Sequence, residues 1–436
     1  MPEMKDSGIE WIGEIPEDWS LLKAKYIFIQ RNQKGNKISL QLLSPTQKYG
    51  VIPQTLYEEL TTNKAVKLKE SVNLAELKTI HKGDYCISLR SFQGGFEYSE
   101  YEGVVSPAYQ VFYPIKQIAD GYYKYMFKDI GFIEKMNSYT LSLRDGKNIA
   151  FSDFGNTYIP VPPLTEQARI ADFLDSKCSE IDALTADIQK EIDVLEEYKK
   201  SVITEAVTKG IYAHDNQKSC DVEWVETIPS EWNDSRLGYE GYIRARLGWK
   251  GLKADEYVDE GYAFISAFNI QNGKLVWKPL NFITKERYDE SPEIKLQIGD
   301  VIIVKDGAGV GKCTRVDELP LGETAPNSSI GVITTYESLD YKYLTYYLQS
   351  AIFNNFVMKL SNGMGVPHLT QEVLRNIKIL VPPMSEQQEI ANYLDAKCEE
   401  INVAIEEKKK QAKVLEEYKK SVIYEYVTGK KEVTAQ

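Results

Sequence analysis

The sequence predicts an α+β protein in which two mixed α/β domains are separated by a pair of long antiparallel coiled-coil helices, with internal pseudo-two-fold symmetry. Three observations predict it: a duplicated segment, a seven-residue apolar repeat inside that segment, and short β-rich runs between its copies. The duplication is plain, because residues 161–210 return without a gap as residues 381–430. One unit copied along a chain implies two similar surfaces related by approximate symmetry.

Each copy also begins with the same short motif, EW-x3-IP-x2-W, at residues 10–19 and 223–232. Between this motif and the duplicated segment the copies diverge, and they keep only traces such as Gly83-Asp84 against Gly299-Asp300. A constant frame therefore holds two variable inserts. The predicted division is a first domain at 1–160, a first helix at 161–210, a second domain at 211–380, and a second helix with its tail at 381–436.

Apolar residues recur every seven positions in both duplicated segments, which is typical of a coiled coil. Between these positions, the first segment offers Cys178, Leu184 or Thr185, Ile192 and Tyr198, and Lys408 interrupts the second. Antiparallel pairing within one chain would bury both seams; the alternative is that each helix packs on its own insert or pairs between chains. The predicted packing residues are Leu174, Ile181, Ile188, Leu195, Val202, Leu394, Ile401, Leu415 and Val422.

Composition is that of an ordinary globular chain, with 43% apolar and 27% charged residues. The five cysteines are odd in number and form no C-x2-C pair, so we expect free structural thiols and no disulfide framework or metal site. No segment approaches the roughly 20 apolar residues of a membrane helix. The N-terminus has no signal-peptide core, and we expect a cytoplasmic protein with no membrane partner.

The net charge of -12 argues at first against nucleic acid, because phosphate binding rests on an excess of lysine and arginine. The distribution of charge changes that interpretation. Residues 165–210 carry 11 acidic and 6 basic side chains, and residues 385–430 carry 10 and 8. The helical segments thus hold more than half of the net negative charge, and the inserts are much nearer neutral.

Several predicted loops of the inserts combine lysine or arginine with glycine, aromatic residues and amides. Arginine and lysine can reach guanine edges or phosphates, glutamine and asparagine match adenine, and glycine lets the backbone approach closely. Each loop alone is better explained by a solvated turn, but recurrence in both inserts favours DNA binding. The candidate DNA-binding residues are Lys48, Tyr49, Arg90, Gln93, Arg144 and Lys147 in the first insert, and Arg246, Lys250, Lys253, Lys305, Lys312 and Asn362 in the second.

No catalytic motif is completely matched by the sequence. Residues 307–313 resemble a phosphate-binding P-loop, but Asp306 stands where its first glycine belongs and Cys313 replaces the Mg²⁺-binding hydroxyl. Glu293-Ile-Lys295 could end a nuclease motif, yet no second acidic partner can be placed. No glycine-rich S-adenosylmethionine loop and no Asn-Pro-Pro-aromatic motif is present. We expect a binding protein with no catalytic residues and no cofactor of its own.

Three motifs carry a resemblance to a known family. These are the EW-x3-IP-x2-W motif, VPP-[LM]-[ST]-EQ at 161–167 and 381–387, and LEEYKKSVI-x-E at 195–205 and 415–425. Together they are highly specific, and across essentially its whole length the chain resembles the specificity subunit of type I restriction-modification systems.

The resemblance implies two target-recognition domains, each reading one half of a split, asymmetric DNA sequence, with the helices as spacer. It also implies binding of two methyltransferase subunits and then of the restriction-translocation subunits, which would hold the S-adenosylmethionine, ATP and Mg²⁺. The adenine modified would be chosen by the partner. The alternative from another class is a non-catalytic scaffold whose helices dock protein partners and whose inserts bind no specific DNA sequence.

Overall fold

The computed structural model describes residues 3–35, 40–61, 64, 76–88, 95–139, 149–246, 252, 256–307, 309–364 and 368–433, with the side chains of 361–364 excepted. The chain divides into two compact units: a first unit of residues 1–189 with 410–436, and a second unit of residues 190–409. Each unit contains one insert and a part of both long helices. Parts of both long helices contribute to the hydrophobic cores of the inserts.

The first unit is built from short strands and helices, and its last helix continues into the second unit. The strands are β1 (Met4–Asp6), β2 (Glu14–Pro16), β3 (Ser20–Lys23), β4 (Phe28–Arg31), β5 (Leu43–Thr46), β6 (Gly50–Pro53), β7 (Lys78–Ile80), β8 (Tyr85–Ile87), β9 (Phe96–Tyr98), β10 (Gly103–Val105), β11 (Gln110–Pro114) and β12 (Tyr158–Val161). The helices are α1 (Gln54–Leu60), α2 (Asp120–Met126), α3 (Ile130–Ser138), α4 (Phe151–Asn156) and α5 (Leu164–Lys209).

The second unit repeats this plan with further short elements. Its strands are β13 (Gln217–Ser219), β14 (Thr227–Pro229), β15 (Asn233–Arg236), β16 (Gly241–Arg244), β17 (Tyr262–Ile265), β18 (Ile270–Gln271), β19 (Lys274–Leu275), β20 (Asn281–Ile283), β21 (Asp300–Val304), β22 (Cys313–Arg315), β23 (Thr324–Pro326), β24 (Ile330–Thr335) and β25 (Lys378–Val381). Its helices are α6 (Leu237–Glu240), α7 (Lys285–Asp289), α8 (Tyr341–Gln349), α9 (Ala351–Met364), α10 (Gln371–Asn376) and α11 (Met384–Val427).

A four-stranded antiparallel sheet forms the centre of each insert, and its topology is the same in both. The strand order is β4-β11-β8-β9 in the first unit and β16-β24-β21-β22 in the second. Aromatic rings fill the first core: Phe112 lies 5.5 Å from Phe28 and 4.8 Å from Phe154, measured between ring centroids. Aliphatic side chains of β21 and β24, such as Ile303 and Ile333, fill the second. The inserts therefore share a fold although their sequences diverge.

The segment after each sheet, for which the sequence predicts one amphipathic helix near 121–136 or 340–358, forms two helices. The break has a local cause in the first unit, because the Asp129 carboxylate accepts a hydrogen bond from the Phe132 backbone nitrogen at 2.9 Å and so begins α3 anew. In the second unit α8 ends at Gln349, Ser350 is extended, and α9 starts at Ala351. The aromatic residues within 122–127 and 341–347, a further trace shared by the two copies, lie on α2 with its C-cap and on α8.

The EW-x3-IP-x2-W motif includes the second strand of a β-hairpin that precedes each insert. Lys5 pairs with Ile15 in the β1–β2 hairpin, and Lys218 pairs with Ile228 in the β13–β14 hairpin. The final tryptophan of each motif is fully buried, and its indole N–H donates to the first-turn glutamate of the next long helix. These bonds join Trp19 to Glu166 and Trp232 to Glu386, each at 2.9 Å. The motif thus fastens the start of each insert to the helix that follows it.

The glutamine after that glutamate makes a second repeated contact. Gln167 accepts from the Ala119 backbone nitrogen at 3.0 Å, and Gln387 accepts from that of Asp340 at 2.8 Å. Both are buried, and both donate to the carbonyl of the proline five residues earlier. The residues of the EQ dipeptide therefore satisfy backbone groups that would otherwise lie unpaired at the base of each insert.

Helices α5 and α11 pair antiparallel within each unit. In the first unit Phe173 lies 4.3 Å from Tyr426 between ring centroids, and Asp182 forms an ion pair with Lys419 at 2.7 Å. In the second unit Glu191 pairs with Lys408 at 2.5 Å, so the residue that interrupts the apolar seam is matched by an acid. Residue numbers rise along one helix as they fall along the other, which defines antiparallel packing.

Burial varies along the predicted seam. Leu174, Ile181, Leu394, Ile401 and Val422 are buried, whereas Ile188, Leu195, Val202 and Leu415 are half-buried. Of the intervening positions, Tyr198 and Leu184 are exposed, and the half-buried Lys199 and Thr185 stand one residue further along the chain. Lysine can occupy such a site because its aliphatic stem packs while its amine reaches a polar neighbour.

Membrane spans, metal-binding groups and cysteines were considered in the described part of the chain. None of its helices is long and apolar enough to cross a membrane. It contains no group of three or more histidine, cysteine or acidic side chains placed to hold a metal ion. Its five cysteines are free, and all but Cys220 are buried.

Candidate nucleic-acid interface

Lys305 and Lys312 lie on one hairpin loop that joins the neighbouring strands β21 and β22. The backbone nitrogen of Val304 donates to the Lys312 carbonyl at 2.8 Å, and that of Gly311 donates to the Val304 carbonyl at 2.9 Å. Gly311 has a φ of 89°, in the left-handed region that glycine tolerates. The P-loop-like sequence is therefore a turn between antiparallel strands, whereas a phosphate-binding P-loop leads from a strand into a helix.

The two lysines of this hairpin differ in their surroundings. The Lys305 amine contacts the Asp306 carboxylate at 2.7 Å, and the His368 ring pairs with the same carboxylate. Lys312 is exposed. Leu369 donates its backbone N–H to the Lys305 carbonyl at 2.9 Å, which brings the segment after α9 beside the hairpin. The exposed amine of Lys312 is thus the cation that this hairpin offers to an anionic ligand.

The loop between β8 and β9 is the topological equivalent in the first insert. Arg90 and Gln93, which the sequence singled out independently, belong to this loop but lie outside the described residues. The residues on either side of this loop are hydrogen-bonded to each other, since the Ser88 backbone nitrogen donates to the Gly95 carbonyl at 2.7 Å. Strands β8 and β9, which flank these two candidates in the sequence, are thus the equivalents of β21 and β22, which flank Lys305 and Lys312.

Lys48 and Tyr49 lie in a second turn of the first insert, between β5 and β6. Tyr49 donates its backbone N–H to the Thr46 hydroxyl at 3.0 Å, and the Lys48 amine is 5.1 Å from the centroid of the Tyr49 ring. This hairpin also contacts β9, since Val51 forms a bridge with Ser99. Lys48 is exposed, so the turn presents a cation and an aromatic face near the strand that ends the 88–95 loop.

Arg246 is placed in the interior. Its side chain is 3% exposed and pairs with Glu290 at 3.4 Å. Burial, followed by the charge of nearby Arg287, lowers the pKa of its guanidinium. A base contact by Arg246 would require this ion pair to open, so the geometry favours a structural role.

The remaining candidates lie outside what the structure describes. Arg144, Lys147, Lys250 and Lys253 are outside the described residues, as are Arg90 and Gln93. Asn362 lies on α9, and its side chain is among those excepted above. For these residues DNA binding stays a prediction.

A buried ion pair that sequence patterns did not reveal supports the hairpin of each insert. Arg31 binds Asp84 through two hydrogen bonds of 2.7 and 2.9 Å, and Arg244 binds Asp300 at 2.6 Å. Each arginine ends the first strand of its sheet, and each aspartate directly precedes or begins the strand that leads into the loop. The Gly-Asp trace shared by both inserts was the available signal, because glycine at a φ of 91° or 92° turns the chain toward that aspartate.

A second buried pair is specific to the first insert. The Glu97 carboxylate on β9 contacts the Lys128 amine at 2.7 Å and is 1% exposed. Burial raises the pKa of Glu97 to about 7, against the opposing effect of Lys128. This acid therefore lies within the sheet as a structural partner of Lys128.

The family model described as the type I restriction modification DNA specificity domain matches residues 16–194 and again 229–416. The chain belongs to this family. The match covers both inserts and most of both long helices, so the resemblance found in the motifs is confirmed. The α+β fold class with two equivalent specificity domains is confirmed as well.

Relatives and a solved structure agree with this assignment. The specificity subunit is 27% identical over 426 residues to the type I restriction enzyme MjaVIII specificity subunit of Methanocaldococcus jannaschii, covering 95% of this chain and 93% of the relative. It is 22% identical over 269 residues to the EcoBI specificity subunit of Escherichia coli, covering 61% of this chain and 56% of the relative.

The solved chain comes from a study of complex assembly and conformational transition of the type I R-M system. It matches this specificity subunit with a TM-score of 0.67 at 16% identity, over 95% of this chain and 98% of its own length. At that identity the likeness bears on the fold alone.

Proposed function

We propose that this specificity subunit directs a type I restriction-modification complex to a split, asymmetric DNA target, one half read by each insert. The observation that carries the proposal is the pair of equivalent hairpins, β8–β9 and β21–β22, placed on the same sheet topology but built from different residues. One frame with two different reading loops suits a target whose halves differ. The scaffold alternative is not favoured, because the family is one of DNA specificity domains.

The helices are proposed to set the spacing of the half-sites and to dock two methyltransferase subunits, which in turn would recruit the restriction-translocation subunits. The repeated apolar pairs Val194 with Tyr198 and Val414 with Tyr418 support docking. All four side chains are exposed, and each pair is spaced one helical turn apart on its helix. Because the pairs are copies, the same partner surface could bind each of them.

The chain itself is proposed to be non-catalytic, with S-adenosylmethionine, ATP and Mg²⁺ held by partner subunits in the cytoplasm. The P-loop-like segment supports this, since it is a hairpin turn, and buried tyrosines make structural hydrogen bonds. Tyr122 and Tyr343, for example, donate to the carbonyls of Val427 and Val207 on the long helices.

The test is to co-express the specificity subunit with the methyltransferase subunit encoded beside it in a host free of DNA methylation, and to map modified bases genome-wide. A split, asymmetric motif that is lost without this chain is the expected result. A stable complex that produces no methylated motif would contradict the proposal and favour the scaffold alternative. The control is the methyltransferase subunit expressed alone.

The candidate lysines Lys48, Lys305 and Lys312 give a sharper prediction in the same assay. The double variant Lys305→Ala with Lys312→Ala should relax or weaken recognition in one half of the motif only, by about 1–3 kcal/mol for each base that is no longer read. Lys48→Ala, in the β5–β6 turn of the first insert, should affect the other half. Equal weakening of both halves by either variant would show that these lysines do not read bases.

A further inference from the structure

The second unit contains a basic groove that the sequence did not suggest. Its volume is about 790 Å³, and it lies between the hairpin loop that carries Lys312, the β18–β19 hairpin and the two long helices. Its lining includes five lysines and two glutamates, in a chain whose net charge is -12. Two of the lysines are in ion pairs, Lys274 with Glu399 and Lys409 with Glu406, so the groove keeps a smaller positive excess. The lysines are Lys199, Lys200, Lys274, Lys312 and Lys409. A positive concavity of this kind attracts a polyanion.

Lys199 is the most informative of these lysines, because it is half-buried and its acceptor is neutral. Its amine donates to the Asn402 side-chain oxygen at 2.8 Å. It lines both this groove and an adjoining cavity of about 540 Å³. The charges of two acids, Glu399 and Glu196, act on the Lys199 amine. Glu399 is already paired with Lys274 at 2.6 Å, and Glu196 is exposed on α5, the helix that carries Lys199.

The repeat supplies a comparison inside the same chain. Lys199 corresponds to Lys419, and Asn402 corresponds to Asp182. In the first unit Lys419 forms an ion pair with Asp182, with both carboxylate oxygens at 2.7 Å from the amine. The equivalent contact between α5 and α11 is thus an ion pair in the first unit. In the second unit it is a hydrogen bond from the Lys199 ammonium to a neutral amide.

We propose that this groove binds a backbone phosphate of the target DNA, with Lys199 as its principal cation. The inference rests on the proposed function and adds to it a contact that positions DNA without reading bases. The groove suits this role because Lys312 joins it to the candidate reading loop. Amide side chains around Lys199, such as Gln349 and Asn402, can donate to phosphate oxygens. Phosphate contacts fix the register of a protein on the duplex, while base contacts specify sequence.

The variant Asn402→Asp tests this directly, because it gives Lys199 the carboxylate that Asp182 gives Lys419. The fold should tolerate it, since the other copy uses the same lysine–aspartate pair. We expect the assembled complex to bind its methylation-motif duplex and an unrelated duplex more weakly by the same factor, about three- to tenfold at 50 mM salt. The salt dependence should fall by about one phosphate contact, a change of about 0.9 in the slope of log K against log salt.

Lys199→Gln should reproduce these effects by removing the ammonium. The matched controls are Lys419→Gln and Asp182→Asn in the first unit, and both should leave DNA affinity and salt slope as in the wild type. Thermal unfolding of the purified chain shows whether any variant has lost its fold.

Wild-type affinity and slope in both Asn402→Asp and Lys199→Gln would overturn the phosphate site. Loss of methyltransferase binding with DNA affinity of the assembled complex unchanged would also overturn it, because the groove would then hold an acidic segment of a partner. Failure of the proposed function has a different signature: the wild-type complex would not distinguish the motif duplex from the unrelated one.

Discussion

Asp300→Ala is expected to destabilise the second unit by about 3–5 kcal/mol, because it leaves the Arg244 guanidinium buried without its counter-charge. Asp300 is fully buried, and its carboxylate accepts from Arg244 at 2.6 Å and from the Gln297 backbone nitrogen at 2.8 Å. Thr334 donates to its other oxygen at 2.5 Å. All of these donors lose their acceptor at once. Urea unfolding followed by hydrogen exchange should locate the loss in residues 190–409.

The control removes both partners. Arg244→Met combined with Asp300→Ala should cost less than Asp300→Ala alone, because no uncompensated charge remains in the core. Asp84→Ala makes the matched change in the first unit, where Arg31 would be stranded. If Asp300→Ala lowers stability by less than about 1 kcal/mol, the pair is not a structural support of the hairpin.

Trp232→Ala is expected to cost a similar amount, about 3–5 kcal/mol, through the cavity left by a fully buried indole. The ring packs in the core of the second unit, and its N–H donates to Glu386 at 2.9 Å. The variant therefore loses apolar packing and the bond that fastens the EW-x3-IP-x2-W motif to α11. Denaturant unfolding of the purified chain measures the change.

Trp232→Phe separates the two contributions. It keeps most of the packing but removes the N–H donor, so its cost should be about 1–3 kcal/mol. Trp19→Phe tests the same bond to Glu166 in the first unit. A Trp232→Phe variant as stable as the wild type would show that the hydrogen bond to Glu386 adds nothing to packing.

The repeated frame could be predicted from sequence because its signals are local or periodic. The apolar repeat of α5 and α11 places residues on one helical face by spacing alone. The one misplaced position is instructive: strict spacing from Cys178 leads to Lys199, but Tyr198 is apolar and next to it. Apolar character favoured the tyrosine, whereas the structure places the lysine in the seam and leaves the tyrosine exposed.

The inserts were less predictable because their side chains are fixed by partners far away in the chain. Arg246 was predicted to lie in a DNA-binding loop, yet both it and Arg244, two residues earlier, face inward. Residues two apart lie on one side of an extended chain, so one buried partner for Arg244 also draws Arg246 toward the interior. The partners, Asp300 and Glu290, stand more than 40 residues away, and no spacing rule connects them.

The strand pairs β3 with β12 and β15 with β25 lead to one further consequence. Ser20 pairs with Val161, and Asn233 pairs with Val381, so each insert leaves the frame and returns to it at adjacent points. Whatever lies between these two strands can be lengthened, shortened or exchanged without moving the ends that carry it. Each insert is in this sense a module that can be exchanged within a fixed frame. Exchange of one insert therefore requires replacement of only one continuous stretch of the gene, and the residues of the long helices stay unchanged.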